Sequence, residues 1–191
     1  MLFSGFDIAL LNWLNHHLIP DSVPVLRIIS FTTTFISIAL VLIILIISLV
    51  RRSKSIRKRF FILAAVLILV AITSQGLKIF FYRERPFKIY PFIEKLSEGG
   101  DSSFPSGHTL EAFAIAAALS LLFSKKKIVI PVYLWAILVA YSRMALGVHY
   151  PSDVLAGVII GTFIGWSVPW IFNKFIPREK INNPMSQSGL W

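Results

Sequence analysis

The chain contains no cysteine, which excludes disulfides and thiolate metal sites and leaves the redox compartment unread. Acidic residues are scarce as well, nine against nineteen Lys and Arg, for a formal net charge of +10. They form no carboxylate cluster of the kind that holds Mg²⁺. Charged residues of either sign make up only 15% of the chain. Long polar connections are also missing: loops are short everywhere except around 83–104, so there is little room for a separate soluble domain. What fills the chain is apolar, with 56% hydrophobic residues and a mean hydropathy of +0.76, well above soluble domains. This is the composition of a membrane protein.

A spanning helix needs about 20 mostly apolar residues at roughly 1.5 Å rise each. Five stretches meet this need, near 28–50, 60–80, 105–123, 128–147 and 152–172, and predict an all-α membrane protein: a compact bundle of about five transmembrane helices forming one domain over 1–176, followed by a polar, mobile tail at 177–191. The segment Phe3–Ile19 mixes Phe6, Leu10, Leu11, Trp13, Leu14 and Leu18 with Asp7, Asn12, Asn15, His16 and His17, so it reads as an amphipathic helix at the interface. It lacks the basic start and small-residue cleavage site of a secretory signal. Pro20 and Pro24 break the chain before the first span.

Basic residues set the orientation. Arg51, Arg52, Lys54, Arg57, Lys58 and Arg59 follow the first span, Lys125, Lys126 and Lys127 follow the third, and Lys174, Arg178 and Lys180 follow the fifth. All twelve fall on one side, predicted cytoplasmic by the positive-inside rule. The positive charge thus serves topology, which argues against a nucleic-acid partner. The mixed-charge loop 83–104 belongs on the other side, with Gly99-Gly100-Asp101-Ser102-Ser103 as a flexible turn that shapes or gates an entrance.

Three polar clusters lie at the outer edges of these apolar runs. Lys78 and Arg85 are seven residues apart, and Pro86 stops helix continuation. Each cation alone reads equally as a snorkelling or solvated side chain, but together they can converge on one anion. Pro105-Ser106-Gly107-His108 opens the third span, where helix N-terminal amides favour an anion, Gly107 permits close approach and Ser106 supplies a hydroxyl. His108, one turn inside, is placed to act as a general acid; an ordinary helix start with an interfacial histidine is the bland alternative. Ser142-Arg143 closes the fourth span, His149 sits in the connection, and Pro151 and Asp153 open the fifth. Asp153 can reach back to one imidazole nitrogen of His149 and leave the other free as a nucleophile.

These eleven positions, quoted with their internal spacing, resemble the signature of the type 2 phosphatidic acid phosphatase superfamily, the lipid phosphate phosphatases that share an active-site plan with vanadium haloperoxidases. The resemblance covers about 78–172. It implies a phosphohistidine on His149, leaving-group protonation and water activation by His108, and orientation of His149 by Asp153. It also implies phosphate binding by Lys78, Arg85, Ser106, Gly107 and Arg143, with no metal and no cofactor. Three fixed cations can neutralise the charge that magnesium neutralises elsewhere.

The expected partners are a lipid phosphate substrate and the bilayer, with no obligatory protein partner, and the expected location is the bacterial cytoplasmic membrane with the site outward. Undecaprenyl diphosphate is the favoured substrate, with phosphatidylglycerol phosphate, phosphatidic acid and lipid A phosphates as alternatives. A non-enzymatic anion or lipid transporter would also use the cations but has no need of the His149–Asp153 spacing. Glu111, one turn after His108, reads as a partner of His108, a headgroup contact or a cap. Gly157, Gly161 and Gly165 read as a close helix-packing ladder.

Overall fold

A computed structural model of the chain describes residues 4–123 and 125–175; the predicted tail at 177–191, with Arg178 and Lys180, lies outside the described residues. The described residues fold as α1 (Ser4–His16), a 3₁₀ turn (Pro20–Ser22), α2 (Val23–Val50), α3 (Lys54–Phe80), α4 (Pro86–Ile89), α5 (Gly107–Phe123), α6 (Lys126–Ala145) and α7 (Pro151–Phe175). No strand occurs among them. Helices α2, α3, α6 and α7 are long and apolar enough to cross a membrane; α5 has 17 residues and is apolar but shorter. The chain is an integral membrane protein.

Two helices begin earlier than hydropathy alone predicts. Pro24 lies in the first turn of α2 rather than ahead of it, where its missing N–H costs nothing because first-turn amides have no intrahelical acceptor. The hydroxyl of Ser53 caps α3 by accepting from the Ile56 amide, so Lys54, Arg57, Lys58 and Arg59 ride on the helix and the connection shrinks to Arg51–Ser53.

Helix α5 is the axis of the bundle. Leu110, Ala112, Ala114, Ala116 and Ala118 are fully buried, and α2, α3, α6 and α7 all pack on it. The outer helices turn large apolar side chains away from the protein, Phe31 at 69% exposure and Ile159 at 60% among them, which only a lipid solvent tolerates on this scale.

The tightest contact joins α7 to α5. A Cβ on Gly161 would sit 2.2 Å from the carbonyl oxygen of Leu110, one on Gly165 would sit 2.1 Å from that of Ala114, and one on Gly157 would sit 2.9 Å from that of Ser106. The glycine ladder therefore lets two backbones touch over two turns. It fixes the start of α7, which carries Asp153, against the start of α5, which carries Gly107 and His108. Gly161→Ala must push the backbones apart, and overpacking of this kind costs roughly 1–3 kcal/mol. A lowered Tm in detergent, with activity falling in parallel, is the expected result.

Candidate active site

Alternating helix directions bring the C-terminal ends of α3 and α6 and the N-terminal ends of α5 and α7 to one end of the bundle. That end receives Lys78, Arg143, Gly107 with His108, and Asp153, while the α3–α5 and α6–α7 connections add Arg85 and His149. The three sequence clusters meet.

His149 is 2% exposed and held at both ring nitrogens. Its Nδ1 lies 2.7 Å from the carbonyl oxygen of Ser103, an acceptor that requires Nδ1 to carry the proton. Its Nε2 then holds the lone pair and accepts from Arg85 Nη1 at 3.3 Å. Burial, reinforced by the positive charges of Arg143 and Arg85, pushes the imidazole down to about 4, so it is neutral near neutral pH. The nitrogen with the lone pair faces Arg85.

Asp153 stands beside this histidine but does not grip it: Oδ2 is 3.7 Å from Nδ1, beyond hydrogen-bond range. The carboxylate instead accepts from the Ser103 hydroxyl, from the Tyr150 amide at 3.0 Å and from Arg83 Nη1 at 2.7 Å. Through Ser103 it positions the loop whose carbonyl orients His149. The direct contact expected from the four-residue spacing is thus replaced by a backbone acceptor.

Arg85 is 2% exposed and wrapped by main chain. It donates to Gly100 O at 2.5 Å, Val148 O at 2.7 Å and Ser102 O at 3.0 Å. The 99–103 segment is therefore a collar around a buried guanidinium rather than a free gate, because a buried charge needs acceptors and loop carbonyls supply them. Further ties hold the rest of the loop: Asn15 bonds both Glu94 O at 3.2 Å and the Glu94 amide at 2.8 Å, and the Leu96 amide reaches Leu146 O at 3.1 Å. Gly147, at φ +72°, permits this approach, since a Cβ there would lie 2.2 Å from Glu94 O.

Arg143, 3% exposed, donates from Nη1 to the Ser30 hydroxyl and from Nη2 to Glu98 O at 3.2 Å. Its Nε has no partner, one of two such buried side-chain atoms among the described residues. Lys78 has no hydrogen-bond or ion-pair partner among the described residues, and its ammonium lies 3.8 Å from where a Gly107 Cβ would sit. Both are unspent donors at the same end of the bundle, and an anion site requires such donors. Ser106 is fully buried with its hydroxyl 2.9 Å from that of Thr109, so this segment presents mainly the free first-turn amides of α5.

His108 lines two cavities. One, about 560 Å³, lies beside Arg27, Ser30, Glu98 and Arg143; the other, about 520 Å³, runs between α2, α3 and α5. Among the described residues no group of three His, Cys, Asp or Glu is placed to hold a metal ion.

Sequence reasoning missed Arg83 and Asp7. Asp7 on α1 is buried, accepting from the Ser152 amide at 2.9 Å, the Ser152 hydroxyl and Arg83 Nη2 at 3.1 Å. Arg83 lies over the Tyr150 ring at 3.8 Å and bridges Asp7 to Asp153. Helix α1 thus docks the face that carries Asp7, Leu11 and Asn15 on the protein and braces the site. The polar positions of α1 were the only signal, and they read equally as an interfacial face. Hydrogen bonds to charged groups contribute about 1.5–3 kcal/mol. Arg83→Ala is therefore expected to lower kcat roughly 10- to 100-fold with a smaller change in KM, as measured by phosphate release.

A model of the PAP2 superfamily matches residues 59–177, a stretch that contains every one of the clustered residues. The chain belongs to the PAP2 superfamily. Among PAP2 relatives, undecaprenyl-diphosphatase BcrC of Bacillus subtilis is 31% identical over 152 residues, 80% of this chain and 75% of that protein. Lipid A 4'-phosphatase of Bacteroides thetaiotaomicron is 38% identical over 106 residues, 56% of this chain and 47% of that protein, so the chain spans about half the length of that relative. The crystal structure of Aquifex aeolicus LpxE superposes with a TM-score of 0.72 at 26% identity, covering 85% of this chain and 94% of that one. The all-helical arrangement is thus a PAP2 fold.

Proposed function

We propose that the chain is a lipid phosphate phosphatase that removes a terminal phosphate from a membrane lipid through a phosphohistidine on His149. The observation that carries this reading is a buried imidazole whose Nδ1 donates to Ser103 O and whose Nε2 accepts from Arg85 Nη1, in a site that also holds the unpartnered Nε of Arg143 and the ammonium of Lys78 beside Gly107. A phosphoryl oxygen takes over the Arg85 N–H and releases the lone pair to attack phosphorus. Lys78, Arg85, Arg143 and the Gly107 and His108 amides bind the oxygens of the transition state. His108 protonates the leaving oxygen, then takes a proton from the water that cleaves the P–N bond and frees inorganic phosphate.

Residues 1–176 form the catalytic domain in this proposal. The basic residues at the opposite end of the bundle, Arg51 to Arg59 and Lys125 to Lys127, support a site on the outward face of the bacterial cytoplasmic membrane. The catalytic groups serve lipid mono- and diphosphates alike. Undecaprenyl diphosphate, expected from chain size and membrane side alone, shares its reactive group with phosphatidylglycerol phosphate, phosphatidic acid and lipid A phosphates, and these catalytic groups do not rank them.

The test is inorganic phosphate release by the detergent-purified protein from these lipids in excess EDTA. Release at an undiminished rate is expected, because the side-chain cations supply the charge neutralisation. Vanadate, which adopts the trigonal-bipyramidal geometry of the transition state, is expected to compete with substrate. A folded protein that releases no phosphate from any of them would leave the transporter reading in its place.

A further inference from the structure

The cavity of about 520 Å³ between α2, α3 and α5 changes character along its length. Lys78, Ser74 and His108 line one part, Gln75, Thr34 and Glu111 the next, and Ile38 and Ile68 the remainder. Ile68 is 61% exposed and Ile38 47%, so the apolar part borders the outer, lipid-facing surface of the bundle. The lining suits a lipid lying with its phosphate beside Lys78 and its tail toward the bilayer.

Glu111 occupies the position that matters for selectivity. It follows His108 by three residues on α5, hence on the same face and roughly 4.5 Å farther along the axis. One carboxylate oxygen accepts from the Thr34 hydroxyl at 2.9 Å, and Glu111 forms no ion pair among the described residues. Carboxylates inside a membrane bundle are costly and persist where they serve a ligand or a proton. The Ser37 hydroxyl also lies against this carboxylate, and the acceptor capacity that these two hydroxyls leave unused is available to the cavity that Glu111 lines.

Resting on the phosphatase reading above, we propose that Glu111 selects the leaving group. It accepts hydrogen bonds from hydroxyl or amide N–H groups on the departing alcohol, so the preferred substrates are phosphate monoesters of lipids whose alcohol carries such neutral donors. Lipid diphosphates are disfavoured. In the first step the P–O bond to the leaving oxygen breaks, the P–N bond to His149 Nε2 forms, and the His108 proton goes to the leaving oxygen. With a monoester the group beside Glu111 is then a neutral alcohol. With a diphosphate it is a second phosphate, whose negative charge stands next to the carboxylate while Lys78, Arg85 and Arg143 are engaged by the transferred phosphoryl group.

The experiment compares kcat/KM for phosphate release from lysophosphatidic acid, whose alcohol carries a free hydroxyl, and from farnesyl diphosphate, in the same mixed micelles. The wild-type protein is expected to favour lysophosphatidic acid at least tenfold. In Glu111→Gln, which keeps an acceptor but removes the charge, farnesyl diphosphate hydrolysis should rise and the ratio collapse by at least tenfold. Equal or better wild-type hydrolysis of the diphosphate would overturn the proposal, as would an unchanged ratio in a folded Glu111→Gln protein. The wild-type ranking decides the matter by itself where that variant does not fold. Absence of release from both, and from phosphatidic acid, with an intact thermal transition would instead sink the phosphatase reading beneath it.

Discussion

Replacing His149 with Ala is expected to lower kcat by on the order of 10⁴-fold or more, because the covalent route has no substitute nucleophile. Such a loss corresponds to about 5.5 kcal/mol of transition-state stabilisation. The neighbouring groups explain why the loss should be chemical rather than structural. The His149 ring donates to Ser103 O and accepts from Arg85 Nη1, which also donates to Val148 O, so its loss leaves one carbonyl unpaired at a cost of about 1–3 kcal/mol. The variant should therefore keep its helical circular dichroism and elute as the wild type does, with a Tm lower by only a few degrees. Burial keeps the wild-type imidazole neutral down to about pH 4, so loss of the free nucleophile by protonation should not limit kcat/KM between pH 5 and 7. An acid limb near 6.5 that belongs to His149, identified by its NMR titration, would contradict the buried environment described here.

Arg85→Ala should cost nearly as much activity and far more stability. The guanidinium satisfies the carbonyls of Gly100, Ser102 and Val148 while touching Nε2 of His149, so its removal unravels the collar and releases the nucleophile at once. A fall in kcat/KM of about 10³-fold or more is expected, with a clear drop in Tm, from one lost charge-assisted phosphate contact and several unpaired buried carbonyls. Arg85→Lys should recover little, since an ammonium cannot reproduce the planar fork. Lys78→Ala offers the contrast: its ammonium has no partner among the described residues, so substrate affinity and rate should fall while the Tm stays close to that of the wild type. Phosphate-release kinetics alongside differential scanning fluorimetry separates the two behaviours.

Much of this was legible in the sequence because the membrane simplifies the code. The apolar runs and the Gly157–Gly161–Gly165 spacing each have a single strong physical reading, and each corresponds to an element of the fold. The convergence of the clusters followed from alternating helix directions. The acceptor for His149 was not legible, because Ser103 acts through its carbonyl, and a backbone group leaves no signature in residue identity. Asp7 and Arg83 were hidden for another reason. Asp7 meets Ser152 across 145 residues, and a lone carboxylate on a mixed helix suggests solvent until the fold covers it. The loop collar misled in the opposite sense: Gly99 and Gly100 suggest flexibility, yet the buried Arg85 organises the segment around itself.

The phosphohistidine is the central claim, and its direct measurement is to mix the purified protein with a ³²P-labelled lipid phosphate, quench in alkali during turnover and map the labelled peptide. The account predicts an alkali-stable, acid-labile phosphoryl group on His149, absent from His149→Ala. Full turnover by the wild-type protein with no label on His149 at any quench time, or undiminished turnover in His149→Ala, would contradict it.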